Sequence, residues 1–226
     1  MVGFSMTILK YIATIIFGYF MGSLSAAIIL SKTIMKADVR TKGSGNAGAT
    51  NMARAFGMGM GVITLAGDVL KTAVAIYVGW LLLGDWGMLA GGAACLVGHC
   101  FPALHEFRGG KGVSAGAAIF FAADWRILVG AVCCFIIGAV LSKKVSLGSV
   151  AAAVSGACIA LILGVSTPRL ILVVFTSILV LIRHRANIKR LLNGTEPDFK
   201  AGKAQKPANS AKPITRIPTP IKPEKN

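Results

Sequence analysis

The sequence predicts an all-α, polytopic membrane protein of seven transmembrane helices, some of them short, with its N-terminus outside and its C-terminus in the cytoplasm. Three observations predict it. Hydrophobic residues make up 55% of the 226 and charged residues only 14%, against about 25% charged in an ordinary soluble domain, and mean hydropathy is +0.73. The apolar residues come in runs near the length a helix needs to cross a bilayer, about 20 residues at 1.5 Å each. The 24 basic residues, set against 8 acidic ones, fall between those runs and in a C-terminal tail, as cytoplasmic loops require. The net charge of +16 therefore points to anionic lipid or an anionic ligand, and no nucleic-acid motif is present.

Taken in order, the first span covers residues 4–30. Its core, 11–30, is twenty uncharged residues with no basic residue before Lys10, which argues for a retained span over a cleaved signal peptide. Lys32, Lys36, Arg40 and Lys42 follow, against the single acid Asp38, so that loop is read as cytoplasmic. The stretch 52–83 contains Gly57, Gly59, Gly61 and Gly67, then Asp68 and Lys71. It reads as one outward crossing whose glycine-rich start is bent or closely packed. Asp68 and Lys71, three apart, read either as a structural ion pair inside the bundle or, as charges within an apolar run, as functional residues. Gly84-Asp85-Trp86-Gly87 turns, and 88–101 returns. The loop 102–112 carries His105, Arg108 and Lys111. Because Lys143 and Lys144 follow, 113–141 is a hairpin interrupted at Asp124-Trp125-Arg126, with a short first arm at 113–123. Residues 147–165 leave and 170–182 return to Arg183-His184-Arg185. The membrane domain spans 1–200. The tail 201–226 repeats Lys, Pro and Ala without apolar periodicity and is expected to be disordered. The five cysteines lie in or at the end of apolar runs and are read as small buried hydrophobes.

The chemistry gathers on one side. Residues 43–54 hold Gly43, Gly45, Gly48, Ser44, Thr50, Asn46, Asn51 and Arg54 almost without apolar bulk. Glycine lets backbone N–H groups approach a ligand, successive N–H groups bind anions, and Arg54 offers a phosphate-shaped fork. Gly109-Gly110-Lys111-Gly112 lacks the Walker spacing. It suits a small phosphate held by amides, Lys111 and the next helix start, or is merely a cationic turn facing lipid. Ser146 follows Lys143-Lys144. His184 and Asn187 share a face if the last helix continues, although on pattern alone Arg-His-Arg reads as an interfacial stop signal. No nucleophile elbow or His-Asp motif is visible, so any reaction depends on positioning and electrostatics. His99 and His105 have no second ligand at metal spacing, and no metal or cofactor is expected.

Three runs in this order are similar to a known family: Gly-Ser-Gly-Asn-Ala-Gly-Ala-Thr-Asn with Arg54, Gly98-His99-Cys100-Phe101-Pro102 leading to Gly-Gly-Lys-Gly-Val, and the run from Arg183 to Arg190. Over about residues 10–196 the chain resembles the bacterial acyl-phosphate:glycerol-3-phosphate acyltransferases. The resemblance implies a multi-pass enzyme of the bacterial inner membrane with its site at the cytoplasmic face. Its partners would be acyl phosphate, glycerol 3-phosphate and membrane lipids, and its state a monomer. Lysophosphatidic acid and phosphate would be the products, at the first step of phospholipid synthesis. By the same resemblance Ser44 and Arg54 are the essential pair. The glycines around Lys111 belong to the glycerol-phosphate site, Ser146, His184 and Asn187 complete the pocket, and Glu196 is structural. Ser25, Thr72 and Ser114-Ala115 depart from the family pattern, the last weakening any hydroxyl role just after Lys111. A transporter of a small phosphorylated solute is the competing class. It would place polar residues and broken helices at mid-membrane, whereas here they gather at one face. A basic scaffold without a ligand is the third.

Overall fold

The computed structural model of the chain describes residues 2–203. Its helices are α1 (Val2–Ser23), α2 (Ala26–Thr33), α3 (Ala49–Phe56), α4 (Met58–Cys100), α5 (Val113–Ala123), α6 (Trp125–Ser142), α7 (Val145–Leu163), α8 (Thr167–Arg183) and α9 (Arg185–Leu192). Short 3₁₀ turns occupy Val39–Thr41 and Ala103–His105. Large apolar side chains such as Phe4, Leu70, Phe121, Leu141 and Ile162 face outward, whereas Asp68, Lys71, His99 and His184 are buried. That inverted distribution suits a surrounding bilayer, where backbone polar groups must pair within the helices.

Among the described residues four helical segments are long and apolar enough to cross a membrane, or five when α8 and α9, bent by 60°, are joined. The difference from the sequence reading lies mostly in α4. Leu83 (φ −146°, ψ 16°) and Gly84 (φ 59°, ψ −146°) interrupt it, and the two arms fold back on each other. A Cβ on Gly79 would run into the Gly87 carbonyl, and one on Gly91 into that of Ala75. In a straight helix those pairs would stand about 12 and 24 Å apart. The turn expected at 84–87 is thus a hairpin one residue earlier.

Two other boundaries shift. The first span breaks after Ser23, and Ser25 caps α2 by accepting the Ile28 N–H at 3.4 Å. The buried Lys71 ammonium donates to the carbonyls of Gly22 (3.0 Å) and Leu24 (2.9 Å) that the break frees. Lys71 also pairs with Asp68 at 3.0 Å, as their spacing suggested. Residues 49–56 are no part of a crossing. Gly57 (φ 95°, ψ 164°) separates them as the short helix α3, whose Met52 and Phe56 pack with Ile28 and Val39 in a small core of their own. The main core joins Leu96 of α4, Ile119 of α5, Ile127 of α6 and Leu172 of α8. Cys95 and Cys100 are buried, but Cys133 and Cys158 are exposed on the apolar surface, which corrects the reading of all five as interior. Of the tail, 204–226 lies outside the described residues. At 201–203 the chain is still attached to the bundle, the Gly202 N–H donating to the Ala53 carbonyl at 3.0 Å.

Candidate active site

The first polar loop curls around one side chain. The buried Asn51 amide donates to the carbonyls of Val39 (3.1 Å), Lys42 (2.9 Å) and Asn46 (3.0 Å). Its oxygen accepts the Ser44 N–H at 2.8 Å. Gly43 takes a positive φ of 56°, and a Cβ there would collide with the Asn51 oxygen. Asn51 and Gly43 therefore shape the loop, and Ser44, Asn46, Gly48, Thr50 and Asn51 itself line the wall of a cavity of about 330 Å³. Arg54, one turn into α3, lies on the same wall.

Gly109 and Gly110 stand behind Lys111, away from the cavity lining. The Gly110 N–H donates to the His99 carbonyl at 3.0 Å, and the Gly110 carbonyl accepts from Arg183 at 3.2 Å. A Cβ on either glycine would strike the end of α4 at His99. Their smallness lets the loop press against α4 and aim Lys111 inward. The Lys111 ammonium donates to the Asn187 carboxamide oxygen. The Asn187 amide donates to Glu196 at 2.7 Å, as do Ser146 and Arg190, each at 2.7 Å. Glu196 thus ties α7, α9 and, through Asn187, Lys111 into one network. Burial opposes its ionisation, but the bonds from Ser146, Asn187 and Arg190 outweigh it and hold the carboxyl below the usual range. Burial pushes Lys111 down to about 8, with Glu196 pulling the other way and Arg190, Arg54 and Arg183 adding to the depression.

The helix axis bends at His184, so the expected shared face is not a continuous one, yet His184 and Asn187 both line the cavity. The His184 Nδ1 lies 2.8 Å from the Val180 carbonyl. A carbonyl only accepts, so Nδ1 carries the proton and Nε2 keeps its lone pair. Ser146, Gly112 and Glu196 complete the residues singled out in the sequence that line the cavity.

The backbone supplies what the sequence reading saw only in part. The N-termini of α3, α5, α7 and α9 contribute Ala49 and Thr50, Val113 and Ser114, Val145 and Ser146, and Asn187 to the lining. None of the four is capped by a side-chain bond. Helix N-termini carry partial positive charge and unpaired N–H groups, so the cavity is suited to an anion. His99, Ser114 and Phe199 also line it. Ser114 donates to Asp68 at 3.0 Å, and the His99 Nδ1 sits 3.6 Å from the other Asp68 oxygen. Charges within an apolar run, Asp68 and Lys71, were the signal that pointed here. Apart from Ser149, the remaining wall is apolar, with Met58, Val62, Leu65 and Phe135 as its large side chains.

A sequence profile described as glycerol-3-phosphate acyltransferase matches residues 12–194. The chain belongs to that family. It is 41% identical over 184 residues to the glycerol-3-phosphate acyltransferase of Endomicrobium trichonymphae, covering 80% of this chain and 92% of that one. With the Caulobacter vibrioides enzyme of the same name the identity is 40% over 207 residues, covering 90% and 93%. A solved integral membrane glycerol 3-phosphate acyltransferase in its glycerol 3-phosphate form superposes with a TM-score of 0.80 at 31% identity, over 84% of this chain and 96% of that one. Its lysophosphatidic acid form superposes at 0.78 with 30% identity, over 84% and 95%.

Proposed function

We propose that the protein transfers a fatty acyl group from acyl phosphate to the 1-hydroxyl of sn-glycerol 3-phosphate, giving lysophosphatidic acid and phosphate at the first step of phospholipid synthesis. The observation that carries this reading is the convergence of four uncapped helix N-termini with Arg54 and Lys111 on one cavity. Each charge-assisted bond contributes about 1.5–3 kcal/mol, so two or three suffice for millimolar to micromolar binding of a phosphate. Ser44, Arg54 and the start of α3 hold one phosphate in this reading. Lys111, Gly112, Ser146, His184 and Asn187 hold the other, with Glu196 fixing the side chains among them.

Acyl phosphate is already an activated mixed anhydride, so no protein nucleophile is required. The hydroxyl oxygen attacks the acyl carbonyl carbon and forms the ester bond. The bond from that carbon to the phosphate oxygen breaks, and its electron pair leaves with the phosphate. The hydroxyl proton passes to a substrate phosphate oxygen. The protein aligns the two substrates and stabilises developing charge with fixed N–H groups and cations. The lone pair on the His184 Nε2 makes that residue the rival base. Loss of turnover in His184→Ala with unchanged glycerol 3-phosphate binding would move the proton there. The acyl chain runs along Met58, Val62, Leu65 and Phe135.

The same proposal sets a monomer in the bacterial inner membrane with seven crossings, α4 supplying two. The N-terminus is outside and the cavity at the cytoplasmic face, a sidedness that rests on the basic loops. Purified protein given palmitoyl phosphate and glycerol 3-phosphate tests the function. Lysophosphatidic acid is the expected product, whereas vesicle uptake of glycerol 3-phosphate without product would establish a transporter. Labelling of Ser44→Cys and Lys111→Cys from opposite sides of the bilayer would dismantle the shared cavity.

A further inference from the structure

After α9 the chain turns at Gly194 (φ 69°) and runs back over the cavity as a strap, residues 195–203. It is fastened at four points. Glu196 sits in the network with Ser146, Asn187 and Arg190. Asp198 pairs with Lys144 at 2.9 Å. The Phe199 N–H donates to the Lys143 carbonyl at 2.8 Å, and the Gly202 N–H to the Ala53 carbonyl at 3.0 Å. Between the last two anchors the Phe199 ring lines the cavity, and the Arg54 guanidinium lies over it, 5.7 Å from the centroid.

That contact has a chemical consequence. The Arg54 side chain forms no ion pair or hydrogen bond among the described residues; the ring is what holds it. A carboxylate in the same place would fix the guanidinium but occupy its fork of N–H donors. An aromatic face attracts the cation through its quadrupole and leaves the donors in the guanidinium plane free. We infer that Phe199 is a positioning residue: it holds Arg54 against the cavity wall with its phosphate-binding donors unoccupied, and the strap exists in part to deliver that ring. The assignment of Arg54 to a phosphate rests on the acyl-transfer reading, but affinity for inorganic phosphate tests the inference without it.

The experiment uses the full chain in detergent and measures inorganic phosphate affinity by calorimetry, then KM and kcat for acyl transfer, with the thermal midpoint as a control for folding. Phe199→Trp keeps the quadrupole and should bind phosphate within about twofold of wild type. Phe199→Leu keeps apolar bulk without it and should weaken phosphate by about threefold to tenfold, in KM more than in kcat. Phe199→Glu should weaken it most, because the new carboxylate captures the guanidinium. Gly202→Ala leaves the ring intact but sets a Cβ against the Arg54 carbonyl, lifting the strap and weakening phosphate in the same direction. Phosphate affinity of Phe199→Leu equal to wild type, or of Phe199→Glu no weaker than Phe199→Leu, overturns the inference. Should wild type bind phosphate yet transfer no acyl group, the acyl-transfer reading fails while the affinity series still decides the role of Phe199.

Discussion

At the end of the bundle away from the cavity, Asp85 accepts two bonds from Arg169 (2.9 and 3.0 Å) and one from Ser166 (2.6 Å). Asp124 there caps α6 and pairs with Arg126 at 2.7 Å. Every one of those charges is answered by its opposite. Inside the cavity the cations are held differently: Arg54 by an aromatic ring and Lys111 by a neutral carboxamide. The carboxylate nearby, Glu196, is turned to Ser146, Asn187 and Arg190. A paired charge fixes two elements together, whereas a cation kept from its counterion stays available to an anion from outside. Under the proposed function the contrast separates charges that serve the fold from charges that serve a ligand, and it can be attacked from either side.

The largest effect should come from deleting an unpaired cation. Arg54→Ala and Lys111→Ala are each expected to lower kcat/KM by about 10²–10³-fold, as removal of a transition-state donor does elsewhere, with the thermal midpoint near wild type. Desolvated cations give little to stability, so a large loss of stability in either variant would break the contrast. Glu196→Ala comes next. It frees the Asn187 amide and the Ser146 hydroxyl and leaves Arg190 without its partner. About 1.5–3 kcal/mol per lost charge-assisted bond makes a loss of about 10- to 100-fold in kcat/KM reasonable, here accompanied by a lower midpoint.

A pH titration sharpens the same point at Lys111, whose value of about 8 is set chiefly by burial. In the proposed reaction its charged form is the one that binds phosphate. Affinity for glycerol 3-phosphate should therefore be complete well below pH 8 and fall as pH rises through it, read as a rising KM. Stability runs the other way. Between about 8 and the ordinary 10.5 the unfolded chain holds more protons at this position than the folded one, so folding gains with pH across that window. Lys111→Arg keeps a charge that does not titrate there. It should abolish the alkaline rise in KM even if it binds less well; persistence of the rise would assign it to another group.

Much of this was legible in the chain itself. Uninterrupted apolar runs and the placement of lysine and arginine indicated helices in a membrane, and the glycine, hydroxyl and amide pattern of 43–54 marked a stretch that does line the cavity. Asp68 and Lys71 announced their pairing by spacing alone. Less legible was anything set by a backbone break. Gly57 and Ser25 interrupt helices without interrupting hydropathy, so the glycines at the start of 52–83 suggested a bend there but not that α3 stands apart. Asn51 reads as a ligand contact by its type and does line the cavity, but its amide is engaged by four backbone groups, a shaping role the sequence did not announce. Gly109 and Gly110 were identified as phosphate amides when their smallness serves packing against His99. Convergence of four helix N-termini is a tertiary fact, invisible to any local pattern, and Phe199 lay in a stretch with no periodicity to draw attention to it.

The smallest effect is expected at the far end, and it completes the comparison. Arg169 reaches Asp85 beside the α4 turn and the Ala123 carbonyl at the end of α5 (3.2 Å), joining two helices to α8. The pair is partly exposed, 34% for Arg169 and 26% for Asp85, and ion pairs at such sites contribute about 0–1 kcal/mol. Arg169→Ala should therefore lower the thermal midpoint by only about 2–4 °C and leave kcat/KM within about twofold. The Asp85 carboxylate loses its partner there but keeps Ser166 and access to solvent, so no buried charge is stranded. A collapse of activity at near-normal stability would mean that the far end communicates with the cavity through α4 or α8. The paired charges would then be functional after all, and pairing would no longer distinguish the two regions.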